Sequence, residues 1–235
     1  MIKQKAIFII FLTFTLGIIN AQEINKFDTN GKRHGVWKKN FEGTKQVRYE
    51  GEFIHGKEVG LFKFYKFIKK KSVLTATKKF NPNNNIAEVT FLSSSGKIIS
   101  KGKMNGKLYV GEWQYFHNKK GSLMTKELYN NKGELNGEKL VFYDNGKIAE
   151  QIIYVNGKRE GLSTWFSLKG IKLKEFMYES DQLHGISKYY CANGDLLIEG
   201  RYKRDKKTGI WKYYKNGELI DEKDFTYISK NPKKQ

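Results

Sequence analysis

The stretch "GIWKYYKNGELIDEKDF", Gly209 to Phe225, holds a glycine, a packed aromatic cluster, an Asn-Gly pair and a run of charges. Its reading decides the fold, because it has relatives upstream. "GISKYYCANG" begins at Gly185, "GLSTWFSLKG" at Gly161, "GEKLVFYDNG" at Gly137 and "GEWQYFHNKKG" at Gly111. Further back are "GLFKFYKF" at Gly60 and "GVWKKNFEG" at Gly35. A degenerate copy, "NIAEVTFLSSSG", begins at Asn85 without the glycine. Successive starts lie 24 to 26 residues apart. A fixed period in this range is the mark of a repeat architecture.

Each unit has a second marker, an aromatic or large apolar residue seven positions before the next start: Phe53, Met104, Tyr154, Tyr178 and Tyr202. Tyr129 is one place out of register, and Phe225 holds the corresponding place at the end of the series. Several markers lead into a turn, as in "YVNGKREG" and "FIHGKEVG". Asn-Gly closes tight hairpins because both turn residues take positive φ at little cost. A unit therefore reads strand, turn, strand, turn. The expected fold is all-β: about eight tandem hairpins, sixteen strands in all, forming an extended, twisted and curled antiparallel meander. Glycine recurs too often, and the apolar spacing is too short, for helices.

Alternation assigns the faces. Counting the leading residue as position zero, positions two and four share one face. They carry Trp37, Phe62, Phe64, Trp113, Tyr115, Trp165, Tyr189, Trp211 and Tyr213. These nine are the candidate partner-binding residues, since a curved sheet can present a row of aromatic rings to a peptide or a sugar. The competing expectation is that the rows are themselves the core. Positions one, three and five share the other face, with Leu61, Leu162, Ile186 and Ile210 at position one and lysine frequent at position three. One face should be filled and the other partly wet.

The chain has 235 residues, 23 glycines, 2 prolines and 1 cysteine. Aromatic residues make up 14 % of it, too many for a disordered chain. Lys3 and Lys5 precede an uncharged apolar run, Ala6 to Ile19, and Ala21 follows at a cleavage position. That is the layout of a signal peptide over residues 1–21. The run is too short for a spanning helix. Residues 22–30 read as a lead-in, 31–227 as the array, and 228–235 as a disordered basic tail. Residues 66–85 are the weakest stretch, with lysines, Pro82 and an Asn run. They read either as a long hairpin or as a soft joint. Cys191 beside a turn reads as an ordinary strand-end residue. Export implies a periplasmic, outer-membrane-associated or secreted location.

The net charge of +20 favours acidic partners. The lysines are spread along the chain, and lysine also guards sheet edges against pairing. An exported chain is not expected to meet nucleic acid. The four histidines are His34, His55, His117 and His184. No pair has the i, i+4 spacing of a helical metal motif. The period spaces the turn histidines along one edge, two strands or more apart, too far for most pairs to share a metal. No nucleophile elbow or phosphate loop is present. A repeat spreads similar residues over all its units, so no unique catalytic constellation is expected. No metal or cofactor is expected either.

"YVNGKREGLSTWFSLKG" (Tyr154–Gly170) and "GIWKYYKNGE" (Gly209–Glu218) resemble the bacterial MORN-repeat variant family, whose units look like "YxNGKxxGxWxxYxxNGK". The resemblance runs from about Gly31 to Phe225. The fifth to seventh units depart from it with Lys139, Ser163 and Ser187 in place of the tryptophan. The resemblance implies an interaction scaffold. Some members are described as antitoxin-like, and the family name implies membrane association. It supplies no catalytic residues. The functional expectation is an exported, non-enzymatic scaffold for a protein or cell-envelope partner. The alternatives are binding to anionic lipid, antitoxin-like neutralisation of a partner, and glycan binding by the aromatic row.

Overall fold

The computed structural model describes residues 23–226. The signal-peptide and tail readings lie outside this range. The strands are β1 (Lys26–Phe27), β2 (Arg33–Asn40), β3 (Val47–Ile54), β4 (Lys57–Ile68), β5 (Lys71–Phe80) and β6 (Ile86–Leu92). They continue with β7 (Ile98–Asn105), β8 (Leu108–Phe116), β9 (Leu123–Tyr129), β10 (Gly137–Phe142), β11 (Ile148–Val155) and β12 (Lys158–Arg159). The last six are β13 (Gly161–Phe166), β14 (Lys172–Glu179), β15 (Gln182–Tyr190), β16 (Leu196–Lys203), β17 (Lys206–Lys215) and β18 (Glu218–Asp224). Eighteen strands replace the expected sixteen because β1 and β12 are two-residue pieces. Every pairing is antiparallel and joins neighbours along the chain, from β1–β2 to β17–β18, except that β11 also pairs with β13 past the two-residue β12. The result is one open meander, as the hairpin period requires.

The unit boundaries follow from the register. Gly35 pairs with Phe53, Gly60 with Phe80, Gly137 with Tyr154, Gly161 with Tyr178 and Gly185 with Tyr202. The two sequence markers are thus cross-strand partners. In the third unit it is Ala87 that pairs with Met104. The expected start at Asn85 is two residues too early, and Asn81–Asn85 belongs to the connection before it. Phe80 then takes the marker place seven residues before Ala87. Tyr129 pairs with Gly111 as the pattern requires, although it precedes Gly137 by one residue too many. The extra residue is in the turn, where Asn130 N–H bonds Glu134 O and Gly133 N–H bonds Asn130 O.

The 66–85 stretch is the long hairpin. β4 and β5 pair, through one bulge between Phe64 and Tyr65, up to a two-residue turn, Lys69-Lys70, with both φ angles positive. β5 pairs in turn with β6, so the sheet continues through this region.

A β-bulge recurs at the end of each first strand. The register shifts between Lys39 and Asn40, Tyr115 and Phe116, Trp165 and Phe166, and Tyr213 and Tyr214, always between positions four and five. A bulge at a fixed place adds the same local twist to every unit. Three further bulges set the core. They fall at Gly51, Gly102 and Gly200 on the second strands. A Cβ at any of the three would stand inside 3.0 Å of ring carbons of Phe62, Trp113 and Trp211, respectively. The missing side chain is what lets each ring lie flat on the strand before it.

Candidate interaction surface

The aromatic face is the filled one. Trp113 and Trp211 have no exposed surface, and Phe62 has 1 %. Beneath each ring is its glycine, and above Trp113 and Trp211 is a side chain from two residues before the unit's leading position. Tyr109 stacks on Trp113 at 3.9 Å between ring centroids. The Lys207 ammonium lies 4.1 Å from the centre of the Trp211 ring, and the Arg33 guanidinium 5.0 Å from that of Trp37. Arg159 covers the marker Tyr178 at 4.3 Å. Cations over aromatic faces are attracted by the ring quadrupole. Part of the basic excess is therefore committed to closing the aromatic face.

The other six candidates are half-buried. Trp37 is held edge-on by Phe27 and Phe53, and its indole N–H donates to Lys26 O at 3.0 Å. Phe64 stacks on Phe62, and Tyr115 tilts against Trp113. Trp165 and Tyr189 flank Phe176 at 5.2 Å each. The Lys223 ammonium sits over Tyr213. The structure thus gathers Trp37, Phe62 and Phe64 into one aromatic cluster, Trp113 and Tyr115 into a second, and Trp165 and Tyr189 into a third, while Trp211 packs with Tyr202 and Phe225. Trp113 and Trp211, enclosed on both faces, present no ring for a sugar to stack on.

Where position two lacks an aromatic residue, its neighbours supply the bulk. Ser163 and Ser187 are both buried and both face Phe176. Lys139 instead meets the buried Glu127, with Nζ 3.1 Å from Oε1, while the Tyr129 hydroxyl donates to Glu127 Oε2 at 2.7 Å. Burial pushes the Tyr129 hydroxyl pKa up, and the bond to Glu127 adds to the effect. Burial likewise raises the Tyr115 pKa to about 12. Glu127, Lys139 and Tyr129 are satisfied by one another, which fits a structural role, whereas the buried Ser163 and Ser187 hydroxyls have no hydrogen-bond partner among the described residues.

The opposite face is different in kind. Position three forms a polar ladder across the sheet. Lys38 pairs with Glu50 and Glu50 with Lys63; Glu175 pairs with Lys188, Lys188 with Glu199, Glu199 with Lys212, and Lys212 with Glu222. Lys63–Glu50 and Lys188–Glu199 close to 3.5 and 3.2 Å. Tyr65 and Tyr190 at position five donate to Glu50 and Glu175. Beside the ladder runs position one, where Leu162, Ile186 and Ile210 are 42 %, 47 % and 55 % exposed. Ile153 on the neighbouring strand is exposed as well. This row is one stretch of the accessible apolar surface among the described residues.

The histidine spacing expected from the period fails at the N-terminal end. The His34 and His55 rings are 5.0 Å apart, because consecutive inter-unit turns on that edge are adjacent. Asp28 joins them through a 2.7 Å contact from its Oδ2 to His55 Nδ1. The alternating order of charge across strands is what neither the residue spacing nor the histidine count could reveal.

No protein-family model matches the chain, and no curated protein matches it in sequence.

Proposed function

We propose that the chain is an exported, non-enzymatic scaffold that binds a protein component of the cell envelope through the face opposite the aromatic core. The observation that carries this reading is the exposed row of Ile153, Leu162, Ile186 and Ile210 on β11, β13, β15 and β17. Ile153 and Leu162 lie on paired strands, and Ile186 and Ile210 continue the row with Arg201 on the strand between them, so one face carries a row of exposed aliphatic side chains, of the kind that marks interaction sites. The adjoining Lys/Glu ladder offers alternating charge that fixes register and excludes mismatched partners. The test is affinity capture from envelope extract with the chain and with a variant carrying Leu162→Gln, Ile186→Gln and Ile210→Gln. The same partner should be retained reproducibly by the native chain and lost by the variant. Equal retention by both would remove the strip from the interaction.

A second reading is favoured by the tip of the β4–β5 hairpin. Lys66, Lys69, Lys70 and Lys71 are all exposed there, next to Phe67, which is 45 % exposed. Clustered lysines beside an exposed apolar ring suit an anionic lipid surface. Flotation with anionic vesicles at low salt, compared with neutral vesicles, tests it. Lys69→Gln with Lys70→Gln and Lys71→Gln should abolish the difference.

A further inference from the structure

Two turns of the array have the same hydrogen-bonding plan but different chemistry. In the fifth unit's turn, Asn130 Oδ1 accepts the N–H groups of Lys132 and Glu134 at 2.9 and 3.0 Å. Asn130 Nδ2 reaches Asn156 Oδ1 at 3.4 Å, and the Asn156 N–H donates to Asn136 Oδ1 at 3.1 Å. At the N-terminal edge the same three places are Asp28, His55 and His34. Asp28 Oδ1 accepts the N–H groups of Asn30 and Lys32, both at 2.9 Å. Asp28 Oδ2 meets His55 Nδ1, and the His55 N–H points at His34 Nδ1 at 3.5 Å. The backbone matches too, with φ of 48° at His55 and 49° at Asn156.

The fold's demand at these places is met by three neutral amides. Aspartate and two histidines meet it equally and add something amides lack. A carboxylate oxygen and two imidazole nitrogens lie within 4.8 Å of one another. We propose that Asp28, His34 and His55 form a binding site for a divalent transition-metal ion of the Zn²⁺ or Cu²⁺ type. Two imidazoles with one carboxylate suit these borderline ions, whereas Mg²⁺ and Ca²⁺ take oxygen donors. The Asp28 side chain is only 8 % exposed, and its Oδ1 is held by two backbone N–H groups, so Oδ2 is oriented in advance. His55 is 65 % exposed, which leaves the ion a path from solvent. The ion replaces the proton between Oδ2 and Nδ1, which passes to solvent. Those two atoms then move apart from 2.7 Å to the roughly 3 Å that metal bonds of about 2.0–2.1 Å require. Three protein ligands leave a coordination position for water or for a donor atom of a partner.

The test is calorimetric titration of the untagged full chain with ZnCl₂ and, separately, CuCl₂. One equivalent should bind, and the ¹⁵N signals of the His34 and His55 rings should shift before those of His117 and His184. The variant Asp28→Asn, His34→Asn, His55→Asn copies the fifth unit's turn and should keep the native melting temperature without metal. Its affinity should fall by at least about tenfold. Unchanged affinity in the variant overturns the proposal. So do first shifts at His117 or His184, and so does a native chain without saturable binding below about 100 µM of either ion.

Discussion

Gly102 lies beneath the indole of Trp113, eleven residues ahead of it in the chain, and the ring rests where the side chain of residue 102 would begin. Gly51 and Phe62, and Gly200 and Trp211, repeat the relationship at the same separation. At the same separation Phe176 and Ser187, and Ile152 and Ser163, invert it, with the bulk on the earlier strand. The constant is the summed volume of the pair, as expected of a close-packed interior.

That relationship predicts a single-site penalty and its compensation. Gly200→Ala should destabilise the array by about 1–3 kcal/mol, the usual cost of overpacking a core. Gly200→Phe alone should be worse. Combining Gly200→Phe with Trp211→Ser reproduces the Phe176–Ser187 arrangement and should recover a large part of the loss. Urea unfolding followed by far-ultraviolet circular dichroism checks all three. A double variant no more stable than Gly200→Phe would show that the pair volume is not what is conserved.

The Glu127–Lys139 pair fills the position-two row at the junction of the fourth and fifth units. Lys139→Met leaves Glu127 buried with only the Tyr129 hydroxyl, and should cost about 3–5 kcal/mol, the range for a buried charge that loses its partner. Adding Glu127→Leu removes the stranded charge. The double variant should then regain most of that stability, because an ion pair and an apolar pair of similar volume are often equivalent. Thermal unfolding of the two single variants and the double variant supplies the full cycle.

The half-buried tyrosines set an alkaline limit. Burial, followed by the bond to Glu50, pushes the Tyr65 pKa up to about 12, and burial does the same for Tyr115. Tyr129, Tyr189 and Tyr190 are raised further in the same direction. A raised acid pKa means that the folded state holds its proton longer than the unfolded chain. The stabilisation is complete below the ordinary value of 10.0 and is lost as pH rises through about 12. Unfolding midpoints should therefore hold up to pH 10 and fall steeply above it. Tyr65→Phe with Tyr115→Phe should flatten that fall and remove amplitude from the late phase of the 295 nm phenolate absorbance. A fall that is equally steep in the double variant would assign the limit to other groups.

How much of this was legible in the sequence depends on range. Glycine before an aromatic cluster is a local signal, and it locates seven of the eight unit starts, each confirmed by its cross-strand marker. The third start at Ala87 is hidden because the long β4–β5 hairpin displaces it and the glycine is missing. Period-two alternation identifies the filled face. It does not distinguish a core ring from a displayed one, because that depends on Gly102 below and Tyr109 above, which come from other strands or places in the unit. The eleven-residue spacing between glycine and ring is visible in the sequence once its meaning is known. The Asp28–His34–His55 group is harder to see, because its members lie 27 residues apart at the extremes and meet only through the stacking of turns.

The two ends of the array are protected by different means, and this yields the last prediction. At the first end, Asn25–Phe27 imitates the second strand of a preceding unit. Trp37 donates its indole N–H to Lys26 O as Trp113 does to Lys103 O and Trp211 to Arg201 O. At the other end, β18 pairs with β17 alone among the described residues, and all seven of its residues are exposed. Such an edge invites pairing with another chain, and charged side chains are the usual defence. Glu218, Asp221, Glu222, Lys223 and Asp224 supply it. The inner side of the same strand explains their placement, since Glu222 faces Lys212 in the polar ladder and Asp221 faces Tyr213. Changing Asp221, Glu222 and Asp224 together to threonine keeps β-propensity and removes the acidic charge from the strand. The variant should retain its secondary structure and self-associate, with the elution volume in size-exclusion chromatography falling as concentration rises. A variant that elutes as the native chain does at every concentration would mean that the edge is kept apart by its shape rather than its charge.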